Sequence, residues 1–483
     1  MSSAAHLMIS RNLLEKAAAI VLCCLLGSAV HAGVLRVHPD NPRYFTDGSG
    51  KAIYLGGHQI FVDLQDNSFN KEFVRNRRRT LDWSEYLDFL KQYNLNYLRN
   101  WVIWSTGSGS MAPLNNAIAS PMPYKRGEGQ GKANDGGDKF DLRRLDDEFF
   151  RRMRQRCGDL QDRGVYVSIM LFEVYGFLGG EACGSPKQTL WDGNVFNKAN
   201  NVNGIHVDYD GDGLGIEFFY TDDPHILKLQ QDYVRKVIDA VNDLDNVMYE
   251  IANELYAPQW QYRMVQFIEN YEGTKPKQHL VMISGGGRTI SGSWKLMEKK
   301  EIIDSPADCL AVSGGWDSGR YTQKNPPAND SGKPAIVDMD HVSPGSADLG
   351  YVWTAFTRGY HFNLYDAPFE SPDAEGPQWQ AARHNVGKAV YYARRCGLVN
   401  MNPRGDLAST GFCLANPGVE YIVYAPGGSP FSVSGLQAGG SYYYEWYDPE
   451  ENKVIASAQT KPENTVETFT PPNQSIVLYL RRI

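Results

Sequence analysis

Two places in this 483-residue chain put carboxylates where apolar runs stop. The first is Val247–Glu254, V-M-Y-E-I-A-N-E, which closes on Asn253-Glu254. The second is Pro334–Val337, which leads into Asp338-Met339-Asp340-His341. A short, nearly continuous apolar run reads as a strand buried on both faces of a parallel sheet. Parallel α/β barrels keep their chemistry at the C-terminal ends of strands, so both carboxylate sets are candidate catalysts. Two carboxylates facing each other across a barrel mouth suit glycosidic bond cleavage. One protonates the leaving oxygen, and the other attacks the anomeric carbon or activates water. Glu254 is the candidate acid/base, with Asp340 or Asp338 as nucleophile and His341 as a group that orients Asp340. The acid needs a raised pKa, which partial burial and a nearby carboxylate supply. The plainer reading of Asn253-Glu254 is a helix cap or loop salt bridge, since short motifs recur without function.

Lesser candidates stand at other predicted strand ends. His58 and Gln59 could bond a sugar hydroxyl, against a satisfied loop histidine. Glu173 ends a third run, against a loop salt bridge. Trp101, Trp104, Trp191 and Trp316 offer faces for sugar stacking, though each competes with a place in the core. His361 and Asn363 are candidate subsite groups, with barrel filling as the competitor.

These residues need a scaffold of alternating strands and helices. The sequence predicts strands at Ala52–Gly57, Tyr97–Trp101, Val165–Leu171, Val247–Glu254, His279–Ser284, Cys309–Ser313, Pro334–Val337 and Tyr360–Tyr365. Helical spacing falls over Thr80–Tyr93, about Leu142 to Asp162, Asp223–Val241, Trp260–Tyr271, Trp294–Lys300, Tyr351–Thr357 and Gln378–Cys396. Asp223-Pro224 is a helix start, N-cap then proline. Eight strand–helix units imply an α/β fold, a (β/α)8 TIM barrel, rather than an open doubly wound sheet. Long stretches at Thr106–Lys139 and Val174–Asp222 read as loops. After about residue 400, short runs such as Tyr421–Tyr424, Tyr442–Tyr447 and Ser475–Leu480 alternate with Gly/Pro turns, which reads as a small C-terminal β-sandwich. The expected division is 1–32 as a signal peptide, 33–400 as a catalytic barrel with a short β-rich lead-in, and 401–483 as the sandwich.

The signal peptide rests on Arg11 and Lys16, the apolar run Ala17–Leu26 and the small residues near Ala32. That run is too short for a membrane span, so the mature chain is expected to be secreted or periplasmic, with a lipid anchor on Cys23 or Cys24 as a minor alternative. Five cysteines remain, an odd number that leaves at least one unpaired in an exported protein. The net charge of −8 argues against a nucleic-acid partner. Tyr 28, Phe 20 and Trp 10 make an aromatic-rich chain, in keeping with a carbohydrate ligand. The Gly-rich Ser284–Arg288 lacks the Lys-Ser or Lys-Thr of a P-loop. Neither His-Glu-x-x-His nor Gly-x-Ser-x-Gly occurs, which argues against metalloprotease and serine-hydrolase chemistry. Arg75 and Arg77–Arg79 read as a solvated basic face. Asp208-Tyr209-Asp210-Gly211-Asp212-Gly213 has the alternating carboxylates and sixth-position glycine of a calcium loop. Its twelfth position is Phe219, however, and Glu217 comes two residues early. The loop is expected to bind calcium weakly or not at all, and no metal or cofactor is assigned.

The arrangement resembles clan A of the glycoside hydrolases over residues 52–396. There Asn-Glu ends strand four with the glutamate as acid/base, and a strand-seven carboxylate is the nucleophile. Tyr97-Leu98-Arg99-Asn100 resembles the clan's second strand. The resemblance implies that Arg99 and Asn253 position the nucleophile and the substrate hydroxyls. More narrowly, the lead-in, Asn253-Glu254 and the sandwich resemble apiosidase-like proteins with a collagen-binding-type tail. The sequence departs from the clan at strand seven, where aspartates stand in place of glutamate. The expectation is a monomeric glycoside hydrolase, of retaining type, acting on a polysaccharide or oligosaccharide. Its rival is a non-catalytic carbohydrate- or matrix-binding protein on a degenerate barrel.

Overall fold

The computed structural model describes residues 33–60, 63–68, 81–106, 118–178, 190–312, 326–338, 349–365 and 376–483. Eight parallel strands close into a barrel in chain order. They are β1 (Gly56–Ile60), β2 (Tyr97–Trp101), β3 (Tyr166–Glu173), β4 (Val247–Asn253), β5 (Val281–Ser284), β6 (Cys309–Val312), β7 (Ala335–Asp338) and β8 (His361–Tyr365). Closure comes from β8 pairing with β1, with Asn363 in register with Gly57.

The described helices are α1 (Trp83–Gln92), α2 (Asp147–Gln161), α3 (Pro224–Val241), α4 (Pro258–Glu272), α5 (Lys299–Ile303), α6 (Gly350–Thr357) and α7 (Pro377–Arg395). Their starts follow local chemistry. Asp82, Asp146 and Asp223 each accept a hydrogen bond from a first-turn backbone N–H, and Pro224 follows Asp223.

Three departures from expectation go beyond trimming or extending an element's end. β1 begins at Gly56, because Ile53 pairs antiparallel with Phe45 at the barrel's base instead. The strand then passes so close to β2 that a Cβ on Gly57 would lie 2.4 Å from the Tyr97 carbonyl oxygen. Leu142–Leu145, expected to open a helix, belongs instead to a strand, Phe140–Leu145, paired with Tyr124–Arg126. Trp294–Leu296, also expected as helix, pairs with Gly286–Arg288 to form a ribbon ahead of the short α5.

The barrel's lower interior is apolar. Met248, Met282, Cys309, Ala311 and Ile336 fill it, and Leu35, Phe45 and Leu55 close it from beneath. Above this layer the inward positions turn polar.

The C-terminal strands are β9 (Asn402–Pro403), β10 (Cys413–Asn416), β11 (Glu420–Ala425), β12 (Phe431–Ser434), β13 (Tyr442–Asp448), β14 (Lys453–Thr460), β15 (Val466–Phe469) and β16 (Ile476–Arg482). Six form an antiparallel sheet in the order β9-β10-β11-β16-β13-β14, and β12 pairs with β15. Leu407, Val433, Trp446, Phe469 and Leu478 pack into a core of their own. Ile422, Tyr447 and Tyr479 join the barrel's core together with Trp353 of α6 and Tyr392 of α7. Polar bonds reinforce the seam: Tyr392 Oη donates to Glu445 at 2.8 Å, and Asn385 Nδ2 to the Pro449 carbonyl at 2.8 Å. Val34–Ile483 accordingly forms one compact unit, in which the barrel and the sheet share a core.

Cys157, Cys309, Cys396 and Cys413 are free thiols. Among the described residues no helix is long and apolar enough to cross a membrane. The expected signal peptide, the basic run near Arg77 and Cys183 lie outside the described residues.

Candidate active site

Arg99 organises the polar half of the barrel. Its Nε donates to Glu250 Oε2 at 2.8 Å, and its Nη2 bonds Glu250 Oε1, so the fork is bidentate. Nη2 also donates to Asn253 Oδ1 at 2.8 Å, and Nη1 to Gln59 Oε1 at 3.0 Å. Gln59 Oε1 takes a second bond from Asn363 Nδ2 at 2.8 Å. The guanidinium lies 5.6 Å from the centre of the Trp101 ring. Arg99, Glu250, Asn253, Gln59 and Asn363 are all buried. Asn253 Nδ2 and Asn363 Oδ1 have no hydrogen-bond partner among the described residues. Buried polar atoms left over in this way are expected where a polar ligand completes them.

Glu250 and Asn253 both reach Arg99 although three residues separate them, whereas strict alternation gives residues two apart one face. The β3–β4 register runs at one constant offset, pairing Glu250 with Met170, Ala252 with Phe172 and Asn253 with Glu173. Glu254 follows directly on the strand's last residue, Asn253.

Glu254 is held in a costly conformation. Its φ is 48°, and the other described non-glycine residues with positive φ, Asn94 and Asn452, are of a type that tolerates it. For a glutamate the strain is on the order of 1–3 kcal/mol and persists only where neighbours impose it. The neighbour here is the Gly286–Arg288 ribbon. Arg288 N donates to the Glu254 carbonyl at 2.7 Å, and Tyr256 N to the Arg288 carbonyl at 2.9 Å. A Cβ on Gly287 would lie 1.7 Å from the Glu254 carbonyl, so only glycine lets the ribbon come this close. The Glu254 side chain is 3% exposed, and its Oε2 accepts a hydrogen bond from Tyr175 Oη at 2.6 Å.

Glu173 supports this arrangement from one position further out. Its carboxylate accepts from Gly176 N at 2.8 Å and Trp104 N at 3.4 Å, which fixes the turn carrying Tyr175. Burial raises its pKa to about 7 against those backbone bonds. Its carboxylate is thus engaged by the backbone of the turn that carries Tyr175.

Two histidines fall elsewhere. His58 lies in the layer between the barrel and α1, with Nδ1 2.8 Å from Tyr86 Oη and its ring against Phe89. His361 accepts from Leu55 N at Nδ1 (2.9 Å) and bonds the Arg43 carbonyl through Nε2 (3.0 Å). Burial holds its pKa down at about 3, so it is a neutral core group near the base. Trp104 and Trp191 are core residues at 0% and 2% exposure. Asp338 ends β7 in register with Asn363. Asp340, His341 and Trp316 lie outside the described residues.

Tyr175, Glu250 and the Gly287 brace were not anticipated. Glu250 had a readable signal, because a charge inside an otherwise apolar run must have a buried partner.

In fold the chain is similar to solved glycoside hydrolase barrels. A solved structure described as "Glycoside hydrolase" matches with a TM-score of 0.56 and 13% identity, over 93% of this chain and 97% of that one. A glycoside hydrolase family 5 structure from Bacteroides vulgatus ATCC 8482 matches with a TM-score of 0.57 and 15% identity, over 93% of this chain and 94% of that one. A family model described as a domain of unknown function, DUF6298, matches residues 118–290. No curated protein matches the chain.

Proposed function

We propose that the chain is a glycoside hydrolase of clan A type that cleaves O-glycosidic bonds in a polysaccharide or oligosaccharide. Glu254 acts as acid/base, and a strand-seven aspartate, Asp340 in preference to Asp338, acts as nucleophile in a retaining reaction. The observation that carries this reading is the backbone of Glu254. A buried glutamate at the end of β4 is held at positive φ by a glycine brace, beside an asparagine with one amide hydrogen-bonding group unused. Strain of this kind collects at working sites. Asn253 Nδ2 is placed to bond a substrate hydroxyl, and Tyr175 holds the Glu254 carboxyl in one orientation.

In the proposed reaction Glu254 protonates the leaving oxygen, the aspartate takes the anomeric carbon, and water then releases the glycosyl group with Glu254 as base. A carboxyl separation of about 5–5.5 Å goes with retention and about 6.5–9.5 Å with inversion, and aspartate is one methylene shorter than the clan's glutamate. The finer assignments are an apiosidase-like protein with a collagen-binding-type tail, exported after cleavage near Ala32 and acting as a monomer.

Glu254→Gln tests the reading. Turnover of a natural glycoside should fall by a factor on the order of 10²–10⁴, with a smaller loss on substrates bearing good leaving groups. Near-full activity in that variant removes Glu254 from catalysis. Wild-type binding without turnover across a polysaccharide panel supports the matrix-binding alternative.

A further inference from the structure

The long excursion between β3 and α3 carries an acidic cluster remote in sequence from the site residues. Oxygens of Asp208, Asp210 and Glu217 lie within 4.8 Å of one another. That spread fits one coordination sphere with Ca²⁺–oxygen distances of about 2.3–2.6 Å. Among the described residues, no lysine or arginine pairs with these carboxylates. Among the described residues His206 pairs with the cluster, its Nε2 3.9 Å from Asp208, and its pKa is lowered chiefly by burial.

A second observation is independent of the cluster's geometry. Glu217 is 8% exposed, and its Oε2 is buried with no hydrogen-bond partner among the described residues. Its other oxygen accepts from Tyr209 N at 3.0 Å and Asp210 N at 3.4 Å, which holds the carboxylate against the loop. A buried carboxylate oxygen with nothing opposite it is costly unless a cation completes it. The short helical turn Ile216–Phe219 places it there, with Phe218 and Phe219 packed on Phe177. Glu217 therefore takes the closing role that the twelfth position, Phe219, does not fill.

We propose that Asp208, Asp210 and Glu217 form a Ca²⁺ site, with backbone carbonyls and water completing a hard-oxygen shell. The ion would close the 208–217 loop on itself, beside the start of the same excursion. Gly215 N donates to the Phe177 carbonyl at 2.8 Å and Gly215 packs on the Trp191 ring, in the same segment that carries Tyr175. An affinity on the order of 10⁻⁴–10⁻³ M, the weak end of the Ca²⁺ range, is expected for a site with three carboxylates on one loop.

The test is calorimetric titration of chelator-treated, dialysed full-length protein with CaCl2, alongside its melting temperature. Expected are one bound ion and a Tm rise on the order of 3 °C at about 10 mM Ca²⁺, reversed by EDTA. Asp210→Asn, at an exposed position, should fold normally and weaken binding at least tenfold. No heat and no Tm shift overturns the proposal. Undiminished binding in Asp210→Asn does the same, and an equal response to Mg²⁺ overturns the assignment to calcium.

Discussion

Met248 and Glu250 stand two residues apart on β4 and share one face of the strand, yet they belong to different halves of the barrel. Met248 sits among Met282, Cys309 and Ile336 in a layer without charge. Glu250 sits in the layer above, bonded to Arg99, which also reaches Gln59 and Asn253. The lower layer is closed, and dispersion and exclusion of water hold it together. The upper layer is nearly closed by its own hydrogen bonds but leaves Asn253 Nδ2 and Asn363 Oδ1 unused among the described residues. The same alternating strands thus build a plug below and an incomplete polar network above, and the incompleteness marks where a ligand belongs.

Four substitutions would break or sharpen this contrast. Glu250→Leu should have the largest effect, because it removes one partner of a buried ion pair. The expected loss is about 3–5 kcal/mol with turnover abolished, read by denaturant unfolding and activity. A loss under about 1 kcal/mol would mean that Arg99 does not depend on this pair. In the lower layer Met248→Ala should cost about 2–5 kcal/mol. Unlike the first, it should leave kcat/KM within about twofold below the melting temperature, since it touches no polar group. A large catalytic loss there would show that the layers are not independent.

Tyr175→Phe removes one hydrogen bond to a carboxyl at the mouth. It should lower kcat/KM by about 10–100-fold, consistent with about 1.5–3 kcal/mol, while the melting temperature barely moves. Glu173→Gln should have the smallest effect, visible mainly through pH. Burial raises this carboxyl from 4.5 to about 7. A folded pKa above the unfolded one gives stability that is complete below about pH 4.5 and is lost as pH rises through about 7. The variant's curve of melting temperature against pH should be flatter in that window. Unchanged curvature would place Glu173 in contact with solvent.

The barrel was legible because eight apolar runs between helical spacings leave few alternatives, and Asn253-Glu254 was legible because its run stops so abruptly. What escaped depends on contacts that strand periodicity does not encode. The His361 ring lies at the base, bonded to Leu55 and Arg43, because β8 enters the barrel with it. Gln59 and His58 are neighbours in sequence, and alternation sends one to Arg99 and the other to α1. In the sequence the Gly286-Gly287 pair resembles only an incomplete phosphate loop. Its use is a close backbone approach to Glu254, a partner that pairing rules do not reveal. Tyr175 becomes a site residue only through a turn that Glu173 fixes.

The seam between barrel and C-terminal sheet has a consequence for how such chains diversify. Trp353, Tyr392, Tyr447 and Tyr479 pack in one core, and α7 bonds to β13 through Glu445. A recombination breakpoint at residue 401 would separate aromatic rings that were selected to fit one another. The packed unit therefore runs through α6 and α7 into the sheet. A donor of a new tail would have to bring both helices with it, or present the same pattern of rings.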